Sequence, residues 1–201
     1  MRKLFLLPLC LITTFVDLAI SSQSHPSKVI YFPDPQNEGE LIPAYLDGQP
    51  PYNTLANESS IHLYLITSND PDKFEELVTD DLETLQKSAY IKNAPLKVMS
   101  HGFGGTHQDG FPRRLSRIYL AQGSDMNIIL VDWAKLATNP WYNIAAGSVK
   151  TVGNKAADLV KFLVANDYVT LDQVHIIGFS LGCHVAGNIG GALDGKAARV
   201  T

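Results

Sequence analysis

The chain has 201 residues, 45% of them hydrophobic and 18% charged, with 16 Lys+Arg against 20 Asp+Glu for a formal net charge of −4. Average glycine and proline content and only two cysteines exclude collagen-like, low-complexity and disulfide-scaffold classes. The acidic balance argues against nucleic acid as a partner, because neutralising phosphates takes a surplus of Lys and Arg.

Arg2 and Lys3 precede an apolar run from Leu4 to Val16, and Ala19-Ile20-Ser21 offers small residues at a cleavage site. We read residues 1–21 as a signal peptide and the protein as secreted and extracellular, with an uncleaved signal anchor as the alternative. The run is short for a membrane span, and no later stretch reaches the roughly 18 apolar residues that a transmembrane segment needs. Cleavage removes Cys10 and leaves Cys183, either hidden as a small apolar residue or lacking its partner. Asn57-Glu58-Ser59 is a glycosylation sequon, which has meaning in a secreted chain and makes Asn57 a candidate acceptor.

Residues 22–60 hold six of the eleven prolines (Pro26, Pro33, Pro35, Pro43, Pro50, Pro51) and read as an irregular N-terminal arm. The domain proper is read as 61–201. Residues 61–67 (IHLYLIT) alternate as a strand. Phe74, Leu77, Val78, Leu82 and Leu85 fall at helical spacing. Residues 96–100 (LKVMS) form a short strand that runs into His101-Gly102-Phe103-Gly104-Gly105, and a helix is expected over 113–122. Residues 127–132 (NIILVD) form an apolar run of the kind buried on both faces of a parallel sheet. Val149, Val152, Ala156, Val160 and Leu163 mark a long helix, residues 174–178 (VHIIG) another buried strand, then a helix to about Gly190 and the opening of one more strand at 198–201. Strands alternating with crossover helices give an α/β fold with a mostly parallel sheet and flanking helices, whose chemistry sits at the carboxyl ends of the strands.

Two loops lie at such ends. Gly178-Phe179-Ser180-Leu181-Gly182 has the Gly-x-Ser-x-Gly pattern between a buried strand and a helix, the context of a nucleophile elbow. The glycines are needed because side chains two residues either side of a strained serine would collide with the neighbouring strand and helix. The alternative is a plain strand-to-helix turn with a capping serine. At the helix start the Leu181 N–H can stabilise a developing oxyanion, and the glycine-flanked loop 101–105 suits a second backbone N–H aimed at it, with an ordinary flexible loop as the alternative.

The stretches HGFGGT (101–106), NIILVDW (127–133) and GFSLGCHVAG (178–187), with the intervening PWYNIAAGSVKTVGNKAADLVKFL, resemble the pancreatic-lipase-like family of α/β-hydrolases, secreted lipases and phospholipases A1 included. The resemblance covers roughly residues 60–201. It implies an α/β-hydrolase fold, Ser180 as nucleophile, and the backbone amides of Phe103 and Leu181 as the oxyanion hole. It further implies hydrolysis of lipid acyl esters, triacylglycerol or phospholipid, at an interface, with no cofactor. A yolk-type protein that binds lipid without catalysis on the same scaffold is the alternative, and the intact GFSLG favours the enzyme.

A serine hydrolase of this fold takes its acid and then its histidine after the serine. After Ser180 this chain offers His184 alone as histidine and Asp194 alone as carboxylate. His184 sits one turn along the same helix, where the resemblance makes it a packing residue of the elbow helix, while Asp194 precedes a strand and so lies at the wrong end. Asp132 stands at a strand's carboxyl end but before the serine, and the resemblance makes it a structural carboxylate beside Trp133; His62, His101 and His175 read as fold histidines, and no metal-ligand spacing appears. In relatives the strand at 198–201 continues into the triad aspartate. The expectation is therefore a hydrolase domain incomplete at its C-terminus, a fragment lacking the triad Asp and His and inactive alone.

Overall fold

A computed structural model describes residues 26–48, 57–137 and 140–201. The expected signal peptide lies outside these residues. Among them no helix is long and apolar enough to cross a membrane.

The first element is not irregular. β1 (Val29–Pro33) and β2 (Leu41–Tyr45) pair antiparallel as a hairpin, from Val29 opposite Tyr45 to Pro33 opposite Leu41. Its prolines are tolerated because a two-stranded ribbon consists only of edges, where a missing N–H breaks no central ladder. The connecting loop is stapled to itself: Asp34 accepts from the Gln36 amide at 2.8 Å and from Asn37 Nδ2 at 2.9 Å, and the Asp34 amide donates to the Glu40 carbonyl at 2.9 Å.

The main sheet has six strands, β3 (His62–Thr67), β4 (Asp70–Glu76), β5 (Leu96–Ser100), β6 (Asn127–Asp132), β7 (Val174–Gly178) and β8 (Arg199–Val200), in the order β4-β3-β6-β5-β7-β8. β3 runs antiparallel to both β4 and β6, and β6, β5, β7 and β8 are parallel. The helical spacing from Phe74 to Leu85 does not make one helix. Residues 70–76 zip onto the edge of β3, and the short helix α1 (Leu82–Lys87) starts only where Asp81 accepts the Thr84 amide as its N-cap.

α2 (Gly110–Leu120), the single turn α3 (Ala134–Ala137), α4 (Tyr142–Ala165) and α5 (Gly182–Ala192) complete the fold. One face of the sheet packs with α4 and α5 around Val98, Ile129, Val131, Ile176, Val152, Val160 and Val185. The other holds Met99, Ile128, Leu130 and Ile177 against the α2 side. Ile128, Ile129, Leu130 and Val131 are each buried to within 1% of full enclosure, and removing such side chains from water stabilises the fold by roughly 1.5–3 kcal/mol apiece.

The parallel register brings the chemistry together. Ser100, the last residue of β5, lies opposite Val131 of β6 and Gly178 of β7, so the loops that leave these three strands emerge side by side.

Candidate active site

β7 delivers the chain to Ser180, whose φ of 53° is left-handed, a conformation that costs an L-residue with a side chain about 1–2 kcal/mol. The surroundings enforce it. The Phe179 amide donates to the Ser100 carbonyl at 3.2 Å, tying the turn to the end of β5, and the Gly182 amide donates to the Phe179 carbonyl at 2.8 Å to open α5. The flanking glycines are demanded by close backbone approach. A Cβ at Gly178 would stand 2.3 Å from the Gly182 carbonyl oxygen, and one at Gly182 would stand 2.5 Å from the His101 carbonyl oxygen. Strain held in place by its neighbours is a mark of functional positions.

The loop after β5 packs directly on this turn: a Cβ at Gly102 would fall 2.8 Å from both Ser180 Cβ and the Phe179 carbonyl oxygen, and 3.3 Å from the Leu181 amide nitrogen. Phe103 and Leu181 are both buried, and the N–H of neither donates a hydrogen bond to any described residue. A backbone N–H with no protein acceptor is left to solvent or to a ligand. Two of them beside one strained serine suit a developing oxyanion. Ser180 itself is exposed, and it lines a cleft of about 860 Å³ whose walls include Phe32, Phe103, Phe111, Leu115, Ile118 and Phe179. The exposed rings of Phe111 and Phe179 stack at 4.8 Å and give the cleft an apolar wall, while Asp34, Gln36, Glu38 and Arg114 also line it.

Asp132, at the end of β6, anchors the loop from beneath. Its Oδ1 accepts the Ala134 amide at 2.9 Å and its Oδ2 accepts from His107 Nδ1. His101 Nδ1 lies 2.9 Å from the Gly102 carbonyl oxygen, and its Nε2 faces both the Trp133 amide at 3.1 Å and Asp132 Oδ1 at 3.3 Å. Trp133 Nε1 donates to the His101 carbonyl at 3.1 Å, and the two rings stack. Burial pushes the Asp132 carboxyl up, but the adjacent imidazoles of His101 and His107 and the Ala134 amide outweigh it and hold it well below the ordinary carboxylate range. Asp132 thus holds Ala134, His107 and His101 together at the end of β6. Nothing local in the sequence singled out His107, which is sandwiched between Tyr64 at 4.1 Å and Phe74 at 5.1 Å.

The remaining candidates stand apart from Ser180. His184 is exposed rather than packed, and with Lys150, Asn154 and Cys183 it lines a different cleft of about 470 Å³. Cys183 is exposed too, not hidden, and its thiol donates to the Gly178 carbonyl at 3.2 Å. Asp194 sits in the turn between α5 and β8 with its carboxylate 3.3 Å from Lys196 Nζ, at the amino end of the parallel strands. His175 faces Thr201 and His62 faces Glu76. Among the described residues none hydrogen-bonds Ser180 Oγ, and no group of three or more His, Cys, Asp or Glu side chains is arranged to hold a metal. Asn57 is exposed and caps a short 3-10 turn by accepting the Ser59 amide at 3.0 Å.

An antiparallel β3 leading into a parallel β6-β5-β7-β8 sheet, with helices on both faces and a strand-turn-helix at β7, defines the α/β-hydrolase fold. The family model described as Lipase matches residues 49–201, and the chain belongs to that family. Hepatic triacylglycerol lipase of Mus musculus is 34% identical over 116 residues, which is 57% of this chain and 22% of that protein. Pancreatic triacylglycerol lipase of Mus musculus is 31% identical over 137 residues, 68% of this chain and 29% of that protein. The inactive pancreatic lipase-related protein 1 of the same species is also 31% identical over 137 residues, covering 28% of its length. The chain therefore spans less than a third of each of these relatives.

Proposed function

We propose that the protein is a secreted carboxylic ester hydrolase of the lipase type that cleaves lipid acyl esters through Ser180. The observation that carries this reading is the strained Ser180 beside the amides of Phe103 and Leu181, which donate to no described residue, at a cleft walled partly by aromatic rings. In the proposed reaction Ser180 Oγ attacks the acyl carbonyl and its proton passes to a base. The tetrahedral oxyanion is held by the two N–H groups and collapses to an acyl-enzyme with loss of the alcohol. Water then releases the fatty acid. The apolar walls suit an acyl chain.

The described residues place no base and no orienting carboxylate beside Ser180: His184 lines another cleft and Asp194 lies at the amino end of the strands. Without them, residual turnover from binding and the oxyanion hole falls orders of magnitude below that of a complete triad. Family membership, the apolar run at 4–16 and the sequon at Asn57 support secretion. The test is labelling of the protein, expressed from its whole coding sequence, by a fluorophosphonate probe, with hydrolysis of a short-chain ester measured alongside. Labelling and hydrolysis that both vanish in Ser180→Ala are expected. A wild-type protein that binds lipid yet neither labels nor hydrolyses would refute the enzyme in favour of the non-catalytic scaffold.

A further inference from the structure

The family match begins at residue 49, so the β1–β2 hairpin at 29–45 precedes it; yet the hairpin touches the part of the site where geometry matters most. The Phe32 ring lies 5.6 Å from Phe103 and stacks on Tyr142 at 5.7 Å, and Phe103 meets Tyr142 at 5.3 Å, closing a three-ring cluster around the residue that carries one unpartnered amide. Gln36 Nε2 donates to the Gly104 carbonyl at 3.2 Å, while the Gly104 amide donates to the Ala137 carbonyl at 2.8 Å. Ile42 covers Gly104 so closely that a Cβ there would fall 2.3 Å from Ile42 Cδ1. The hairpin is seated firmly enough to act as a stop: the Tyr45 amide donates to the Pro140 carbonyl at 2.7 Å, the Tyr45 ring meets Trp141 edge-on at 5.1 Å, and the loop at 34–40 carries its own hydrogen bonds. Residues 32–36 also line the cleft that Ser180 lines.

We infer that this hairpin is a working part of the active site: it holds the loop at 102–104 against the serine through Phe32, Gln36 and Ile42, and Phe32 with Pro35 forms the wall along which a long acyl chain lies. Phe32, Gln36 and Ile42 are positioning residues for the Phe103 amide, and Phe32 also sets chain-length preference. The inference rests on the proposed hydrolase reading, and two separate measurements keep the two apart.

The first is kinetic, on the protein expressed from its whole coding sequence, with Gln36→Ala, Phe32→Ala and Phe32→Leu assayed on p-nitrophenyl butyrate and palmitate. Misplacing one oxyanion donor by a fraction of an ångström lowers kcat, and about tenfold is expected for Gln36→Ala and Phe32→Ala, with the butyrate KM held within about twofold. Phe32→Ala also raises the palmitate KM several-fold, and Phe32→Leu, which refills the wall, restores most of both. The second is hydrogen exchange of the peptide covering 101–107, expected to be several-fold faster in Gln36→Ala than in wild type at equal thermal stability. Wild-type kcat in both alanine variants, or losses that merely follow thermal stability without rescue by leucine, would overturn the inference. If the wild-type protein hydrolyses no ester, the hydrolase reading fails by itself, and exchange alone decides the hairpin: unchanged protection at 101–107 sinks it, faster exchange upholds its grip on the loop.

Discussion

Gly182→Ala concentrates the logic of the site in one methyl group. The new Cβ would stand 2.5 Å from the His101 carbonyl oxygen and 2.6 Å from that of Ser100, close to an ångström inside ordinary contact with both. Neither oxygen is free to retreat. The Ser100 carbonyl accepts the Phe179 amide at 3.2 Å, and that of His101 accepts Trp133 Nε1 at 3.1 Å. The methyl must therefore push the start of α5 away from the end of β5. Overpacking of this kind costs typically 1–3 kcal/mol, and with backbone on both sides we take about 3 kcal/mol. For a domain of this size that is a fall of roughly 6–12 °C in Tm. The same displacement separates the Leu181 amide from that of Phe103, so kcat on a short ester should drop about 100-fold in the fraction that remains folded. Gly187→Ala on the same helix is the control. Nothing lies within 4 Å of its added Cβ, and alanine should stabilise α5 by about 0.5–1 kcal/mol. Calorimetry and ester kinetics on the two variants check the pair. A Gly182→Ala protein with wild-type Tm and kcat would refute the claim that backbone contact between the two loops sets the site.

Three further expectations rest on other residues. Ser180→Gly should be more stable than Ser180→Ala by about 1 kcal/mol in denaturant titration, because glycine adopts a φ of 53° without the Cβ penalty; equal stabilities would mean the turn is unstrained. Asp132 has a depressed folded-state pKa, so its ionised form stabilises the native protein fully above the ordinary carboxylate range and loses that contribution as pH falls below it. The difference in unfolding free energy between wild type and Asp132→Asn should accordingly be flat from pH 8 to about pH 5 and shrink under more acidic conditions, and a gap that widens on acidification would contradict the assignment. Among the described residues the buried Tyr90 hydroxyl has no partner and burial pushes its pKa up, so Tyr90→Phe should match or exceed wild-type stability by up to about 1 kcal/mol; a clear loss would reveal a partner.

The parts of this fold that are legible in the sequence are those whose physical demand is expressed within a few residues. β6 reads as buried on both faces because Ile128, Ile129, Leu130 and Val131 are consecutive, and the turn at Ser180 reads as an elbow because glycines stand at both positions where a side chain would strike backbone. β4 is illegible for the opposite reason. It is an edge strand of charged, mostly exposed residues, so no alternation appears and the apolar positions from Phe74 to Leu85 mimic a helix. The hairpin was hidden by its prolines, although the runs Val29–Pro33 and Leu41–Tyr45 around a loop containing Gly39 were the available sign.

The same distinction runs through the site itself. The collision that excludes a side chain from Gly182 comes from Ser100 and His101, some 80 residues earlier, yet it leaves a local trace because only glycine answers it. The grip of Asp132 on His107 is equally long-range but leaves none: it follows from the register that sets Ser100 beside Val131, and an isolated aspartate and histidine are ordinary residues. Contact between Gln36 and the Gly104 carbonyl joins positions 68 residues apart in the chain. A steric veto is visible in sequence because it removes alternatives, whereas a hydrogen bond between distant side chains only selects among many residues that could have made it. The turn at Ser180 was thus readable from five residues, and the contacts that hold the loop at 102–104 beside it became visible only when the strands were aligned.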